Sequence, residues 1–268
     1  MLIKTLIENN PSQNKSLYNE HGLSFYIEYN NLRILFDCGA TKNASLNAIK
    51  MNIDLEKITH VIISHSHYDH AGGYPEFVLR GVKAPLYVGT EFWEEKYAKI
   101  DEKYVYLGVG FSQNSVEDLY ECKDMIKLAS GCHIIGNFEL HNNKEQIPNR
   151  FVKQTKNGMI KDNFKDEIAL VLEHEKGLIV IVGCSHIGIL NILYSIEQRF
   201  QKPIYSVFGG THLVEADLER TTYTIEQMKN IGVQILGCNH CTGIDAIEKL
   251  SKSDLTFFNL NVGECYIL

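Results

Sequence analysis

The sequence predicts an α/β fold, because short runs rich in aromatic and β-branched residues alternate with amphipathic helical patterns along the chain. Residues 188–200 place apolar side chains near helical spacing, and residues 218–232 end at Gly232 in the manner of a helix C-terminus. No stretch rich in proline, glycine and serine divides the chain. We therefore expect a single domain over residues 1–268.

The predicted elements follow one another in a regular order. Eight segments are predicted to contain strands and three to form helices: strands at 23–29, 32–39, 60–65, 84–89, 168–186, 203–210, 232–239 and 256–268, and helices at 40–52, 188–200 and 218–232. Asn30 and Asn31 indicate a hairpin turn. The region at about 92–166 is the least regular, and we interpret it as an insertion or lid over a site built elsewhere.

The composition excludes several classes of protein. The chain has 268 residues, of which 44% are hydrophobic and 22% charged, so it can bury a large core. A formal net charge of -7 argues against nucleic acid as a partner. The first residues do not resemble a signal peptide, and no apolar run is long enough to span a membrane.

The cysteines indicate the compartment. There are seven, an odd number, and they are scattered rather than paired by spacing. This pattern fits free thiols in a reducing environment, so a cytoplasmic location is expected. We expect a small molecule as the substrate and no membrane partner; the oligomeric state is left open.

The stretch 59–74, "THVIISHSHYDHAGGY", places four histidines and an aspartate around the end of an apolar run. His65 and His67 are two residues apart at the exit of a predicted strand, so both imidazoles can reach one ion. Asp69 and His70 follow in the next turn, where they can hold a second ion beside the first. The alternative is a solvated turn, but packing these side chains together without a metal would crowd costly polar groups. The pattern therefore favours a metal site.

Four motifs together resemble a known family. The pattern His-x-His-x-Asp-His in "SHSHYDHAGG" resembles the signature of the metallo-β-lactamase-fold superfamily. With "GCSHIGILNI", "FGGTHL" and "NHCTG", it is similar to the branch related to dihydropterin ribofuranosylaminobenzene-phosphate synthase. The resemblance implies an αββα sandwich, in which two mixed β-sheets are flanked by helices and the metal site lies along the edge where the sheets meet.

The resemblance also implies two metal positions and their ligands. The first metal would be held by His65, His67 and His186, and the second by Asp69, His70 and His240. Asp37, in "ILFDCG", matches a position that orients an imidazole through its free N–H. The alternative for Asp37 is a turn residue that caps local amides.

One departure concerns the segment "VFGGTHL". Many hydrolases of this superfamily carry an aspartate there that bridges both ions, whereas this chain has Gly209 and Gly210. The next polar side chains include His212, which we expect to lie in the active cleft as a ligand or substrate contact. The alternative is a structural histidine that faces outward.

Other signals support weaker hypotheses. Cys238 and Cys241 have the C-x-x-C spacing of a redox dithiol, but they follow a predicted strand and enclose a predicted ligand. Asp162, Asp166 and Glu167 resemble an acidic stretch common in this branch, and a solvated turn is the alternative. The remaining histidines have no role that the sequence indicates: His21, His60, His133, His141 and His174.

These residues lead to a functional hypothesis. We expect two divalent ions, with zinc first and iron or manganese as alternatives, in a hydrolase that acts through a metal-bound hydroxide. Asp69 would be a ligand and proton acceptor, and His212 a second catalytic residue. The branch favours a phosphorylated substrate, either a phosphoester or a pterin- or nucleotide-like diphosphate. An iron-dependent oxidoreductase or sulfur-chemistry enzyme, and a metal-binding module without turnover, are the alternatives.

Overall fold

The computed structural model describes all residues from 1 to 268, and these divide into two compact units. The first unit comprises Met1–Glu121, Pro148–Asp166 and Asn261–Leu268, and the second comprises Cys122–Ile147 and Glu167–Leu260. The single domain and the lid at about 92–166 stay predictions.

The strands are numbered in chain order. They are β1 (Leu2–Ile7), β2 (Ser24–Tyr29), β3 (Leu32–Phe36), β4 (His60–Ile62), β5 (Leu86–Gly89), β6 (Lys96–Ile100), β7 (Lys103–Tyr106), β8 (Leu119–Cys122), β9 (Met125–Ala129), β10 (Cys132–Ile135), β11 (Phe151–Thr155), β12 (Gly158–Lys161), β13 (Ala169–His174), β14 (Gly177–Ile181), β15 (Ile204–Gly209), β16 (Ile235–Cys238), β17 (Thr256–Phe258) and β18 (Cys265–Ile267).

Six α-helices accompany them. They are α1 (Asn43–Lys50), α2 (Tyr68–Ala71), α3 (Tyr74–Leu79), α4 (Ile189–Phe200), α5 (Leu218–Asn230) and α6 (Ile244–Ser251). None of these helices combines the length and the apolar character that a membrane span requires.

The main sheet of the first unit has seven strands in the order β18-β1-β2-β3-β4-β5-β8. Strands β1, β2 and β3 are antiparallel, and Asn30, with φ 53°, makes the predicted hairpin turn between β2 and β3. Strands β3, β4 and β5 are parallel, so their carboxyl ends lie at the same edge of the sheet. Leu35, Val61 and Phe77 belong to the buried apolar core of this unit.

The first unit also contains a small antiparallel sheet in the order β12-β11-β6-β7. Its strands lie within the segment 92–166, in which no regular pattern of apolar residues predicts them. Strand β7 is exposed at every position, which explains why no apolar alternation marks it. The segment as a whole contributes strands to three sheets rather than forming irregular loop.

The sheet of the second unit has the order β17-β16-β15-β14-β13-β10-β9. Strands β14, β15, β16 and β17 are parallel, with α4 connecting β14 to β15 and α5 connecting β15 to β16. Every residue of β14 and β15 is buried, as expected for central parallel strands. The α/β class predicted from the sequence, with mixed sheets and helices, is confirmed.

Candidate functional site

The histidine-rich motif of the first unit follows the carboxyl end of β4. Three buried imidazoles converge there: the ring centroid of His65 lies 4.7 Å from that of His67 and 4.2 Å from that of His70. Oδ2 of Asp69 lies 3.6 Å from Nε2 of His70. The structure therefore brings together all four ligand-type side chains that the motif supplies, which we call the first-unit cluster (His65, His67, Asp69 and His70).

The ionisation of these imidazoles suits metal binding. Burial lowers the pKa of His65 well below its ordinary value, and it lowers the pKa of His67 to about 3. Both rings are therefore neutral at physiological pH, and a neutral imidazole is the form that ligates a metal. Buried neutral imidazoles next to a carboxylate are a donor set that fits zinc, iron or manganese.

Asp37, which follows the adjacent strand β3, positions part of the cluster through hydrogen bonds of its carboxylate. Its Oδ1 accepts a hydrogen bond of 2.7 Å from the backbone N–H of Ser64, and its Oδ2 lies 2.7 Å from Nδ1 of His70. The bond at Nδ1 directs Nε2 of His70 toward Asp69. Both roles considered for Asp37, amide cap and imidazole partner, are present in one side chain.

Asp166 fixes the backbone between the two strand-exit histidines. Its Oδ2 accepts hydrogen bonds of 2.8 Å from both the backbone N–H and the hydroxyl of Ser66. The ammonium group of Lys96 lies 2.5 Å from Asp166 and 2.9 Å from Asp162, and all three side chains are buried. The solvated-turn interpretation of Asp162 and Asp166 is therefore wrong, because these residues form a buried ion pair network.

His21 is a contact that sequence reasoning missed. Its Nε2 lies 3.2 Å from Oδ2 of Asp69, although the imidazole side chain is 59% exposed. The neighbouring turn docks on the same residue, since the N–H of Leu23 donates to the carbonyl oxygen of Asp69 at 3.1 Å. A Cβ on Gly22 would lie 2.5 Å from that oxygen, so the close approach requires glycine. No spacing in the sequence indicates this long-range contact.

The predicted site residues of the second unit follow the ends of three neighbouring parallel strands. His186 comes after β14, His212 after β15 and His240 after β16, and all three are buried. Because the carboxyl ends of parallel strands meet at one edge of a sheet, loops distant in sequence become neighbours. The rings of His186 and His212 accordingly lie 4.4 Å apart.

Glu167 holds the loop that carries His186. Its two carboxylate oxygens accept hydrogen bonds from the backbone N–H groups of His186, at 2.7 Å, and Ile187, at 3.0 Å. Glu167 is 2% exposed, so these are buried, charge-assisted bonds rather than the contacts of a solvated turn. The residue positions the backbone of a predicted ligand.

His212 is buried beside two cysteines instead of facing outward. The metal-ligating atoms of Cys184, His212 and Cys241 all lie within 4.8 Å of one another, and we call this the cysteine–histidine cluster. Burial alone would lower the pKa of His212, but hydrogen bonds with Cys241 and Glu215 raise it to about 9. Burial alone would raise the pKa of Cys241, but hydrogen bonding with Cys184 and His212 lowers it well below its ordinary value.

Several of these side chains occupy an uncommon backbone conformation. Ser185, His212 and His240 have φ of 62°, 50° and 54°, and Asp37 in the first unit has φ 57°. Left-handed backbone in non-glycine residues costs roughly 1–3 kcal/mol each and persists where the surroundings impose it. These four are among eleven non-glycine residues with positive φ, and each lies at or next to a position that carries a ligand-type or ligand-orienting side chain.

Comparison with known proteins agrees with the family resemblance that the sequence motifs indicate. The model of the metallo-beta-lactamase superfamily matches residues 17–200. A protein of Methanocaldococcus jannaschii, 7,8-dihydropterin-6-methyl-4-(beta-D-ribofuranosyl)-aminobenzene-5'-phosphate synthase, is 33% identical in an alignment 261 residues long, which covers 91% of this chain and 88% of that protein. An uncharacterized protein of the same organism is 28% identical over 255 residues, which are 94% of each chain.

Among solved structures, Tm1679 is similar over the whole chain. It is described as a metal-dependent hydrolase of the beta-lactamase superfamily, with 30% sequence identity and a TM-score of 0.84, over 100% of this chain and 99% of that chain. The fold and the family resemblance expected from the motifs are thereby confirmed.

Proposed function

The chain belongs to the metallo-beta-lactamase superfamily, and on that basis we propose that it is an enzyme with two divalent metal ions that acts on a phosphorylated small molecule. The observation that carries the proposal is the first-unit cluster, with its buried neutral imidazoles and adjacent carboxylate. The sequence-derived ligand assignment is retained as a prediction: His65, His67 and His186 for one ion, and Asp69, His70 and His240 for the other.

The residues have distinct roles in this proposal. A bound divalent ion supplies Lewis acidity, lowering the pKa of water and polarising a phosphoryl or carbonyl oxygen. Asp69 ligates and accepts a proton, while His21, at 3.2 Å from its carboxylate, holds that carboxylate in place. Phe151 and Phe164 pack 5.5 and 5.3 Å from the His67 ring and exclude water from one side of it.

The relative with 33% identity supports a substrate class. That protein is named a synthase of a dihydropterin joined to a ribofuranosylaminobenzene phosphate. We propose that this chain acts on a pterin-like or nucleotide-like diphosphate or phosphoester. In the diphosphate case, the carbon–oxygen bond to pyrophosphate breaks as a bond to water or to an amine forms, and the attacking group gives up its proton to a base such as Asp69.

The nature of the attacking group separates a hydrolase from a synthase. Purified enzyme loaded with zinc, iron or manganese is assayed on phosphodiesters and on a dihydropterin methyl diphosphate, with and without an arylamine acceptor. Pyrophosphate release that does not require the acceptor supports hydrolysis, and release that requires it supports a synthase. A coloured, oxygen-dependent enzyme that is inactive on every phosphorylated compound would favour the iron-dependent redox alternative instead.

Substitutions test the metal assignment directly. His65→Ala and Asp69→Ala are expected to lose metal and at least about 100-fold in rate, because each removes a ligand. His60→Gln is the matched control, since His60 lies on β4 outside the cluster and should leave metal content unchanged. A fully metallated and active Asp69→Ala enzyme would refute the assignment. Cytoplasmic location and a small-molecule partner remain part of this proposal.

A further inference from the structure

The cysteine–histidine cluster of the second unit has a composition that the proposed function does not use. Cys184, His212 and Cys241 are 3%, 4% and 8% exposed, and they come from three different strand-end loops. Two sulfur atoms and one imidazole nitrogen, all within 4.8 Å of one another, are close enough to bind a single ion after small side-chain adjustments. Ordinary buried cysteines, by contrast, act as small apolar side chains and need no such convergence.

The three loops are tied to one another by backbone and hydroxyl contacts. The N–H of Gly210 donates to the carbonyl oxygen of Gly183 at 2.8 Å, and the hydroxyl of Ser185 donates to the carbonyl oxygen of Gly210 at 2.9 Å. The N–H of Thr211 donates to the hydroxyl of Thr242 at 3.3 Å. These bonds flank all three members of the cluster, so its donor atoms are held by a rigid framework.

Gly210 leaves room for one of the sulfur atoms. A Cβ at this position would lie 2.5 Å from Sγ of Cys241 and 2.7 Å from the carbonyl oxygen of Gly183. The φ of Gly210 is not in the left-handed region, so backbone conformation does not demand glycine there. The space that a side chain would fill is occupied instead by the thiol.

We propose that Cys184, His212 and Cys241 form a metal site for a thiophilic divalent ion, with zinc as the natural occupant. Thiolate and imidazole donors select zinc over magnesium or manganese. Two cysteines and one histidine are a three-ligand set that leaves a fourth tetrahedral position for water or for a substrate atom. Binding releases two protons to solvent, one from the thiol of Cys184 and one from the Cys241–His212 pair, and no electron is transferred. Glu215, 3.5 Å from Nε2 of His212, is placed to orient the imidazole.

Cobalt provides a direct readout of sulfur ligation. The reduced, metal-free full-length protein is titrated with Co²⁺, and the near-ultraviolet charge-transfer absorption of a thiolate–cobalt bond is recorded. The expected result is a band that zinc abolishes and magnesium does not. In Cys184→Ser and Cys241→Ser proteins the band should weaken, and in the double variant it should disappear. Zinc affinity should fall at least roughly tenfold in each single variant.

Matched controls separate ligation from general disturbance. Cys238→Ser changes a buried cysteine of β16 that is not in the cluster, and Cys265→Ser changes an exposed one; both should keep the full band. If the cluster variants do not fold, zinc-edge X-ray absorption of the wild-type protein serves instead, with sulfur neighbours expected at about 2.3 Å. Cobalt binding without a thiolate band, or an X-ray spectrum with nitrogen and oxygen neighbours alone, would overturn the proposal.

The readout does not depend on the proposed enzyme activity. His65→Ala removes a ligand of the first-unit cluster and should leave the thiolate band in place. A wild-type protein that keeps the band but is inactive on every substrate tested would count against the proposed function and not against the cysteine–histidine site. A wild-type protein that is active but lacks the band would count against the cysteine–histidine site and not against the proposed function.

Discussion

Oδ2 of Asp37 and Nδ1 of His70 lie 2.7 Å apart, and both side chains are completely buried. A carboxylate at this nitrogen fixes the tautomer, makes the opposite nitrogen the metal-binding one and raises its basicity. The pair links the end of β3 to the first-unit cluster, so the main sheet determines the orientation of a predicted ligand.

Asp37→Asn should therefore weaken metal binding without removing a ligand. Asparagine tolerates the left-handed backbone at this position, so the fold should persist. We expect metal affinity to fall by about 10–100-fold, measured by competition with a chromophoric chelator. Asp54→Asn, at an exposed ion pair with Lys57, is the control and should bind as the wild-type protein does. Unchanged affinity in Asp37→Asn would show that the carboxylate does not tune His70.

Asp166→Asn should destabilise the first unit. Burial alone would raise the pKa of Asp166 and lower that of Lys96, but their mutual charge lowers the former and raises the latter. The substitution leaves Lys96 with Asp162 alone, at 2.9 Å. We expect a loss of about 3 kcal/mol in the free energy of unfolding, at the lower end of the range for broken buried pairs, measured by urea denaturation.

The same pair predicts a pH window. Its stabilisation should be complete above the ordinary aspartate pKa of 3.8 and below the ordinary lysine pKa of 10.5. It should be lost as pH falls through the lowered pKa of Asp166, or rises through the raised pKa of Lys96. Asp124→Asn, at a largely exposed carboxylate, should leave stability within about 0.5 kcal/mol of wild type. Equal stability losses in both variants would argue against a special role for the buried pair.

Glu145 should make the second unit less stable as pH rises toward neutrality. Its Oε2 accepts a hydrogen bond of 3.1 Å from the N–H of Asn191 in the first turn of α4, but burial raises its pKa from 4.5 to about 7. A raised carboxyl pKa gives stability that is fully present below pH 4.5 and is lost as pH rises through 7. The loss should approach about 3 kcal/mol.

Glu145→Gln tests whether ionisation of Glu145 causes the loss of stability, because a neutral amide does not titrate. The variant should show a flatter profile of unfolding free energy between pH 5 and 8 than the wild-type protein, measured by denaturant titration at each pH. Glu219→Gln, at an exposed carboxylate in the first turn of α5, should keep the wild-type profile. Parallel profiles for wild type and Glu145→Gln would contradict the assignment of the pH dependence to Glu145.

Gly210→Ala should destabilise the protein through overpacking. The added Cβ would meet Sγ of Cys241 and the carbonyl oxygen of Gly183, and a loss of about 1–3 kcal/mol is expected from thermal or urea unfolding. Combining it with Cys241→Ala should restore part of the loss, because only the backbone clash remains. Gly110→Ala is the control, since nothing lies within 4 Å of its added Cβ. A Gly210→Ala protein as stable as wild type would mean that the loop moves freely.

The parts of the fold that sequence reasoning recovered share two properties: they are regular in secondary structure and local in sequence. The helices at Asn43–Lys50, Ile189–Phe200 and Leu218–Asn230 lie within the predicted segments. The apolar run 168–186 contains two strands, β13 and β14, that turn back on each other before Gly177. All of β14 and the first four residues of β13 are buried, so no alternation of apolar and polar residues marks the two strands as separate.

The contacts that sequence reasoning missed are long-range and polar. Lys96 and Asp166 are 70 residues apart, and neither shows a pattern that identifies the other. Asp69 contacts His21, which lies in a turn that no sequence motif marks. Cys184 lies close to Cys241 only because the strands that precede them, β14 and β16, both flank β15. Residue types at strand ends indicate what a site can contain, whereas the pairing of side chains depends on strand order, which composition does not encode.

The order of strands in the first sheet has a consequence for the chain as it leaves the ribosome. Strand β18 pairs with β1, joining Leu2 to Ile267, so β1 is synthesised long before its partner. Every residue of the second unit, by contrast, has been added by Leu260. Until Cys265–Ile267 emerges, β1 is an open edge with unpaired backbone groups, a template for association with another nascent chain. Lys4 is the one charged residue of the otherwise largely apolar strand β1, and its charge disfavours such pairing until β18 has been made.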